Sequence, residues 1–470
     1  MKFLNYVAKY IINMEKFAKI TFLGASGVVT GSKFLIETSE KNILVDCGMF
    51  QGLKELRELN WDNLPIDVET IDIVLLTHGH LDHVGYLPRL LKQGFKGKIK
   101  GTAPTLAIAE IILKDSAKIH EEEAEKANKE KYTKHSPALP FYTIIDAEKT
   151  IRQFEVEIED KWISLSENIS YRFQYNGHII GATFIEIDIN GKRFVFSGDI
   201  GRTDDYLLND PKTPEWADFL FIESTYGNKL HPEENIEDIL TTIIHETIHK
   251  KGNLIIPSFA VERLQTLMYI LWKLYKKNKI PNIPIFIDSP MGNNVLEVFN
   301  RFPKWHKLST QEYNAMCNHV NIVQSYRETW ETIDDKRSKI VIAGSGMVTG
   351  GRVLTYLKQL IDEPSTTVLL VGYQAEGTRG RQLQDGAHEI KFFGKYYPVK
   401  ATIKNIESLS AHADQEDLLN WIKTIKNIPE NVYLIHGEPT ALDAFRVKIK
   451  DTYNWNVIIP KLTDIEEVIL

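Results

Sequence analysis

Only two cysteines, Cys47 and Cys317, occur among 470 residues. That is too few for a disulfide framework. It fits a reducing cytoplasm, with both thiols serving as small buried hydrophobes. No apolar run approaches the ~20 residues that a membrane-spanning helix needs, so no membrane role is expected. Residues 1–20 carry lysines but neither a clear signal core nor a small-residue cleavage site, and Met14 is an alternative start to Met1. No repeat or low-complexity tract interrupts the chain, which excludes solenoids and long disordered tails. An excess of positive charge is lacking too. The net charge of −7 argues against a generally basic, nucleic-acid-coated surface. The acidity is uneven, however, because residues 216–395 hold 21 Lys and Arg against 20 Asp and Glu. Metal ions held by acidic ligands would offset the formal count further.

What remains is an ordinary globular composition, 43% apolar and 25% charged, in a chain long enough for two domains. Within it, Thr77-His78-Gly79-His80-Leu81-Asp82-His83 places three histidines and an aspartate in six residues. One helical face cannot present i and i+2 together. A tight loop after a buried strand can, and residues 71–76 read as that strand. Imidazoles suit zinc, and the carboxylate offers a hard oxygen to a second ion.

Two ions need about seven or eight donors, and the pattern recurs downstream. His178 sits in a glycine-flanked turn, Asp199 follows an apolar strand in Phe196-Ser197-Gly198-Asp199, and His412 and His436 come much later. His78, Asp199 and His436 each follow an apolar strand, so strands deliver ligands to one common edge, where a carboxylate can bridge two ions. Strands are also expected at 18–23, 32–37, 41–46, 171–175, 183–189 and 193–197, and a long helix at 107–131, apolar first and then highly charged. From about residue 216 the pattern becomes strand–helix–strand (219–223, 236–250, 253–257, 262–278, 283–287), which implies a parallel sheet covered by helices. From about 401 short strands and one helix near 415–425 are expected.

In this order, with these flanks, the chain resembles the metallo-β-lactamase superfamily, and within it the β-CASP branch of nucleic-acid-processing nucleases. The resemblance implies an α/β fold, a metallo-β-lactamase αββα sandwich with an inserted parallel-sheet α/β β-CASP domain. It divides the chain into residues 1–215 and 396–470 for the sandwich and 216–395 for the insertion. It assigns His78, His80 and His178 to one zinc, Asp82, His83 and His436 to the other, and Asp199 to the bridge. Manganese or iron in the same ligand set stays open. Asp46, in Leu44-Val45-Asp46-Cys47-Gly48, becomes a supporting residue behind the ligands. The acidic motif of the branch falls on Glu223 and its two histidines on His412 and His436.

The same resemblance implies hydrolysis of single-stranded RNA, endonucleolytic or 5′→3′ exonucleolytic, leaving a 5′-phosphate and a 3′-hydroxyl. Asp82, His412 and Glu223 form the catalytic set, with His412 as general acid oriented by Glu223. The glycine-rich stretch 344–351 precedes a helical pattern at 352–360 and can present amides to a phosphate through Ser345, Gly346, Thr349 and Gly350. By the same resemblance Arg263 is a candidate for a further phosphate contact, the alternative being an exposed arginine at a helix end. With no separate RNA-binding domain in view, RNA would lie in the cleft between the domains, aided by homodimerisation. A small-molecule hydrolase of the superfamily and a DNA nuclease are the alternatives. The long insertion argues against the first and His436 against the second, since the DNA-processing arm often lacks a histidine there.

Overall fold

The structure, a computed structural model, describes residues 17–131 and 135–470. The alternative start Met14 lies outside them. Two seven-stranded sheets face each other. The first runs Ile465–Ile469, Phe17–Phe22, Phe34–Glu37, Asn42–Val45, Ile73–Leu75, Lys98–Thr102, Phe154–Glu157; the second runs Val457–Ile458, Asn431–Ile435, Phe219–Glu223, Lys192–Phe196, Thr183–Ile189, Ile169–Tyr175, Ile163–Ser164. Alternating apolar residues put Ile20, Phe22, Phe34, Ile36 and Val45 of one sheet against Phe173, Ile185, Phe196, Phe221 and Tyr433 of the other. Phe221 stacks between Phe196 and Tyr433, with ring centroids at 4.1 and 4.8 Å. Helices cover the outer faces, and the result is the expected αββα sandwich.

The long helix is Ala103–Glu130. It begins four residues earlier than periodicity suggested, because Thr102 caps it by accepting from the Thr105 amide and Pro104 suits the first turn. Its first half buries Leu106, Ile108, Ala109, Ile112 and Leu113.

A third sheet of six strands is parallel throughout: Asn321–Ile322, Ile285–Asp288, Ile340–Ala343, Leu254–Pro257, Thr367–Val371, Thr402–Ile406. Strand membership differs from the sequence pattern in two places. Phe219–Glu223 pairs with Lys192–Phe196 and Asn431–Ile435 in the sandwich, and Thr402–Ile406 forms the edge of the inserted sheet. A fully buried strand looks alike in either sheet, and local alternation does not name its partner. The C-terminal part also holds a second helix, Pro439–Tyr453, that the pattern missed. Its signal was weak: Pro439 at the first turn and apolar residues diluted by surface lysines and aspartates.

Strands Asn42–Val45 and Ile73–Leu75 are parallel neighbours, as are Lys192–Phe196, Phe219–Glu223 and Asn431–Ile435. Their C-terminal ends therefore bring Asp46, His78, Asp199, Glu223 and His436 to one edge of the sandwich. Among the described residues, no helix is long and apolar enough to cross a membrane.

Candidate metal centre

The loop after Ile73–Leu75 carries His78 and His80, and the one-turn helix Leu81–Val84 that follows carries Asp82 and His83. Gly48 allows this helix to pack close, since a Cβ there would lie 1.5 Å from the Asp82 carbonyl oxygen. The turn bearing His178 and the turn after Asp199 also touch. A Cβ on Gly201 would lie 2.2 Å from the Gly177 carbonyl, and Ala413 N donates to Ile200 O at 2.8 Å, which draws in His412.

The donors fall into two groups that share one residue. In the first, His78, His80, His178 and Asp199 offer atoms all within 4.8 Å of one another; in the second, Asp82, His83, Asp199 and His436 do the same. Nε2 of His78 and of His178 each lie 3.5 Å from Asp199 Oδ2. On the other side His83 Nε2 is 3.3 Å and His436 Nδ1 3.5 Å from Asp199 Oδ1, and His436 Nε2 is 3.3 Å from Asp82 Oδ2. A third group, Asp199, Glu223 and His412, adjoins both.

Most of these groups are buried, and burial decides their protonation. It holds His78 and His178 well below the ordinary histidine pKa and His80 at about 4, so these imidazoles are neutral and keep lone pairs for a metal. Burial opposes charge on His83 as well, but Asp199 and Asp46 outweigh it and raise its pKa. Asp46 accepts from Thr77 N at 2.8 Å and Thr77 Oγ1 at 2.8 Å, and its Oδ2 lies 2.7 Å from His83 Nδ1. That contact turns His83 Nε2 toward Asp199. Neither His83 Nε2 nor Asp199 Oδ1 has a hydrogen-bond partner, although both are buried. These two buried ligand atoms face each other at 3.3 Å without hydrogen-bond geometry, beside the neutral His78, His80 and His178, and a divalent cation between them would satisfy both.

Glu223 is fully buried; its Oε1 accepts from Ile200 N at 2.6 Å and lies 3.3 Å from His412 Nδ1. Burial disfavours charge on His412, yet Glu223, with Asp199 and Asp82 behind it, pushes its pKa up to about 9. The His412 ring lies 4.5 Å from that of His178.

The inserted unit brings its own residues near. Arg263 opens helix Arg263–Lys276, and although it stands at a helix end it is buried, 7% exposed. Its charged and polar surroundings are Glu262, Asp205, Tyr226 and Arg202. In the glycine-rich loop the amides of Thr349 and Gly350 converge on Ser345 Oγ, at 3.1 and 3.3 Å, and Gly346 O accepts from Gln374 Nε2 at 3.3 Å. The loop's amides thus already point at one oxygen, the serine's own. The helix after it is Val353–Leu360, with Arg352 turned back to Asp288 at 3.3 Å.

Residues that sequence reasoning missed are Thr77, which links Asp46 to the histidine loop, Thr225, whose hydroxyl donates to Glu223 and lies 3.1 Å from His436 Nδ1, and Tyr226, 6.3 Å from the His412 ring. Each directly neighbours a motif residue or lies within three of one, which was the only signal available.

The sequence matches the metallo-β-lactamase superfamily over residues 27–230, the β-CASP domain over 264–383, and a Zn-dependent metallo-hydrolase RNA specificity domain over 396–460. It is 32% identical over 432 residues to a ribonuclease from Thermus thermophilus, covering 90% of this chain and 94% of that protein. It is also 32% identical over 431 residues to an RNase J-like protein from Methanocaldococcus jannaschii, covering 90% and 94%. Transcription termination factor FttA from the same organism is 28% identical over 474 residues, covering 97% of this chain and 72% of the factor. Among solved structures, a protein of unknown function from Enterococcus faecalis shares the fold, with a TM-score of 0.52 at 14% identity, covering 97% of this chain and all of that one.

Proposed function

This chain belongs to the β-CASP ribonuclease family of the metallo-β-lactamase superfamily, and from that premise we propose that it hydrolyses phosphodiester bonds of single-stranded RNA at a dinuclear zinc site. The observation that carries this reading is the pair of four-donor groups sharing Asp199, with the His412–Glu223 pair at their side. His78, His80 and His178 would hold one ion, Asp82, His83 and His436 the other, and Asp199 both. When bound, such ions act as Lewis acids, lower the pKa of water toward neutrality and neutralise charge on phosphoryl oxygens. Manganese or iron would serve the same donor set.

The protein's own groups do the rest. Asp46 fixes the tautomer of His83 by accepting a hydrogen bond from its Nδ1–H, which leaves the Nε2 lone pair to a metal. Asp82, at the edge of the cluster, sets its Oδ2 3.3 Å from His436 Nε2 and would join it on the second ion. Glu223 accepts from His412 Nδ1 and leaves Nε2 free to give a proton to the departing 3′-oxygen, so the products are a 5′-phosphate and a 3′-hydroxyl. Arg263 and the loop bearing Ser345, Gly346, Thr349 and Gly350 hold neighbouring phosphates. Ser345 Oγ then yields its two amides to a phosphate oxygen. We read the chain as a sandwich formed by both ends and an inserted β-CASP unit between them, with RNA in the cleft, and as a cytoplasmic enzyme, which two free cysteines suit. Relatives named as ribonucleases support RNA over DNA or a small molecule.

The test is cleavage of 5′-labelled and, separately, 3′-labelled single-stranded RNA by zinc-loaded protein, with Asp199→Ala as control. Internal fragments absent with the variant establish an endonuclease, and mononucleotides from the 5′ end an exonuclease of the same chemistry. Asp199→Ala should lose metal as well as activity. Full activity in that variant, or no RNA cleavage by fully metallated wild type, overturns the reading.

A further inference from the structure

Strands Glu389–Phe392 and Lys395–Pro398 form a two-stranded ribbon outside the three large sheets. Phe393 and Gly394 turn it, both left-handed at φ +48° and +82°, the turn geometry whose twist matches a hairpin. Alternation splits the ribbon. Ile390 and Phe392 are buried against Leu383 and Ile361, while Lys391, Lys395, Phe393 and Tyr396 face solvent. Phe393 is 55% and Tyr396 62% exposed. Lys391 and Tyr396 are cross-strand partners, with the ammonium 5.4 Å from the ring centroid. In a chain of net charge −7, residues 388–404 hold Lys391, Lys395, Lys400 and Lys404 against Glu389 alone.

The ribbon is also tied to the catalytic side of the inserted unit. Arg379 Nε donates to Lys391 O at 2.7 Å, while its Nη1 donates to Thr349 O at 3.1 Å and Val348 O at 3.3 Å. One guanidinium therefore joins the ribbon to the glycine-rich loop. From that loop Gln374 holds Gly346, the adjacent Tyr373 ring lies 6.4 Å from Tyr226, and Tyr226 lies 6.3 Å from His412.

We propose that this ribbon is a stacking platform for single-stranded RNA that extends beyond the cleft, with bases on Phe393 and Tyr396 and phosphates along Lys391 and Lys395. The proposal rests on the RNA reading given above. Exposed rings interleaved with lysines suit a nucleic-acid strand, because every base has a face to stack and every linkage a charge to neutralise. A second copy of the chain is a poorer occupant, since pairing the ribbon with itself would set lysines against lysines.

The experiment measures binding by full-length protein, kept in chelator so that nothing is cut, to fluorescein-labelled oligouridylates of about 20 and about 6 nucleotides. The double variant Phe393→Ala/Tyr396→Ala should bind the long strand about 10-fold or more weakly and lose its preference over the short one. Lys391→Ala/Lys395→Ala should reduce the salt slope by about 1.4, the share of two single-strand phosphates. Phe393→Trp and Tyr396→Phe, which keep rings, should retain binding and show that the loss is not misfolding. Unchanged long-strand affinity in the Ala/Ala variant, while wild type cleaves RNA with zinc, overturns the platform and leaves the proposed function standing. Sedimentation that shifts from dimer to monomer in that variant, at unaltered RNA affinity, overturns it in favour of an interface between copies. If wild type neither binds the long strand nor cuts RNA when metallated, the RNA reading fails and the platform with it.

Discussion

Lys33 carries its amine into the interior behind the histidine loop. It is 1% exposed, donates to Gly31 O at 3.0 Å and Gly48 O at 2.7 Å, and lies 4.4 Å from the Phe50 ring. Burial pulls its pKa down to about 8, against the opposing effect of Cys47. The unfolded chain holds this proton up to about 10.5. The folded state therefore binds fewer protons between those values, and stability from this group rises with pH across 8 to 10.5. Below 8 the buried charge costs on the order of 3 kcal/mol. Lys33→Met should remove that rise, so thermal midpoints of wild type and variant, recorded across the window, should converge or cross as pH increases. Parallel curves would show that the amine does not titrate there. On the proposed function, His412→Ala should leave the metal content unchanged and slow hydrolysis by roughly 10²–10⁴. Elemental analysis alongside single-turnover rates checks it, and lost metal would make His412 a ligand.

At the scale of elements, one device recurs: a parallel strand ends and the next residues supply a donor. Asp46, His78, Asp199 and His436 arise this way, and Glu223 is itself the last residue of its strand. The supports lie behind them. Helix Pro439–Tyr453 follows His436 directly, and its Phe445 is fully buried with Leu418, Trp421 and Leu434. Gly227 lies close against it, since a Cβ there would meet Phe445 Cβ at 2.8 Å, so the helix braces the turn after Glu223. Phe445→Ala should cost about 3–5 kcal/mol in urea denaturation. A loss under about 1 kcal/mol would mean the brace collapses without consequence.

For the whole molecule, the donor cluster is a joint between distant segments of the chain. Its donors come from both sheets of the sandwich and from segments more than 350 residues apart in sequence, as in the Asp82–His436 contact. A bound ion would satisfy His83 Nε2 and Asp199 Oδ1 together and stabilise the folded state by mass action. Chelation should therefore lower the thermal midpoint by several degrees, restored by zinc. An unchanged midpoint after proven metal loss would mean the sandwich closes without its ions.

The sequence by itself determined the donor chemistry and the strand-end placement of the donors, because those rest on residue type, short spacing and hydrophobic period, and the fold class came from the family resemblance that those motifs carry. The pattern at 77–83, the βαβ run after 253 and the buried strand before Asp199 were legible for that reason. The grouping of the donors around Asp199 was implied by the resemblance, and the tertiary structure supplied its distances; only the tertiary structure decided that Asp46 turns His83 and that Arg263 is buried. It also decided that Phe219–Glu223 belongs to the sandwich and Thr402–Ile406 to the insertion. Those facts are pairings across hundreds of residues, and local period carries no term for the partner.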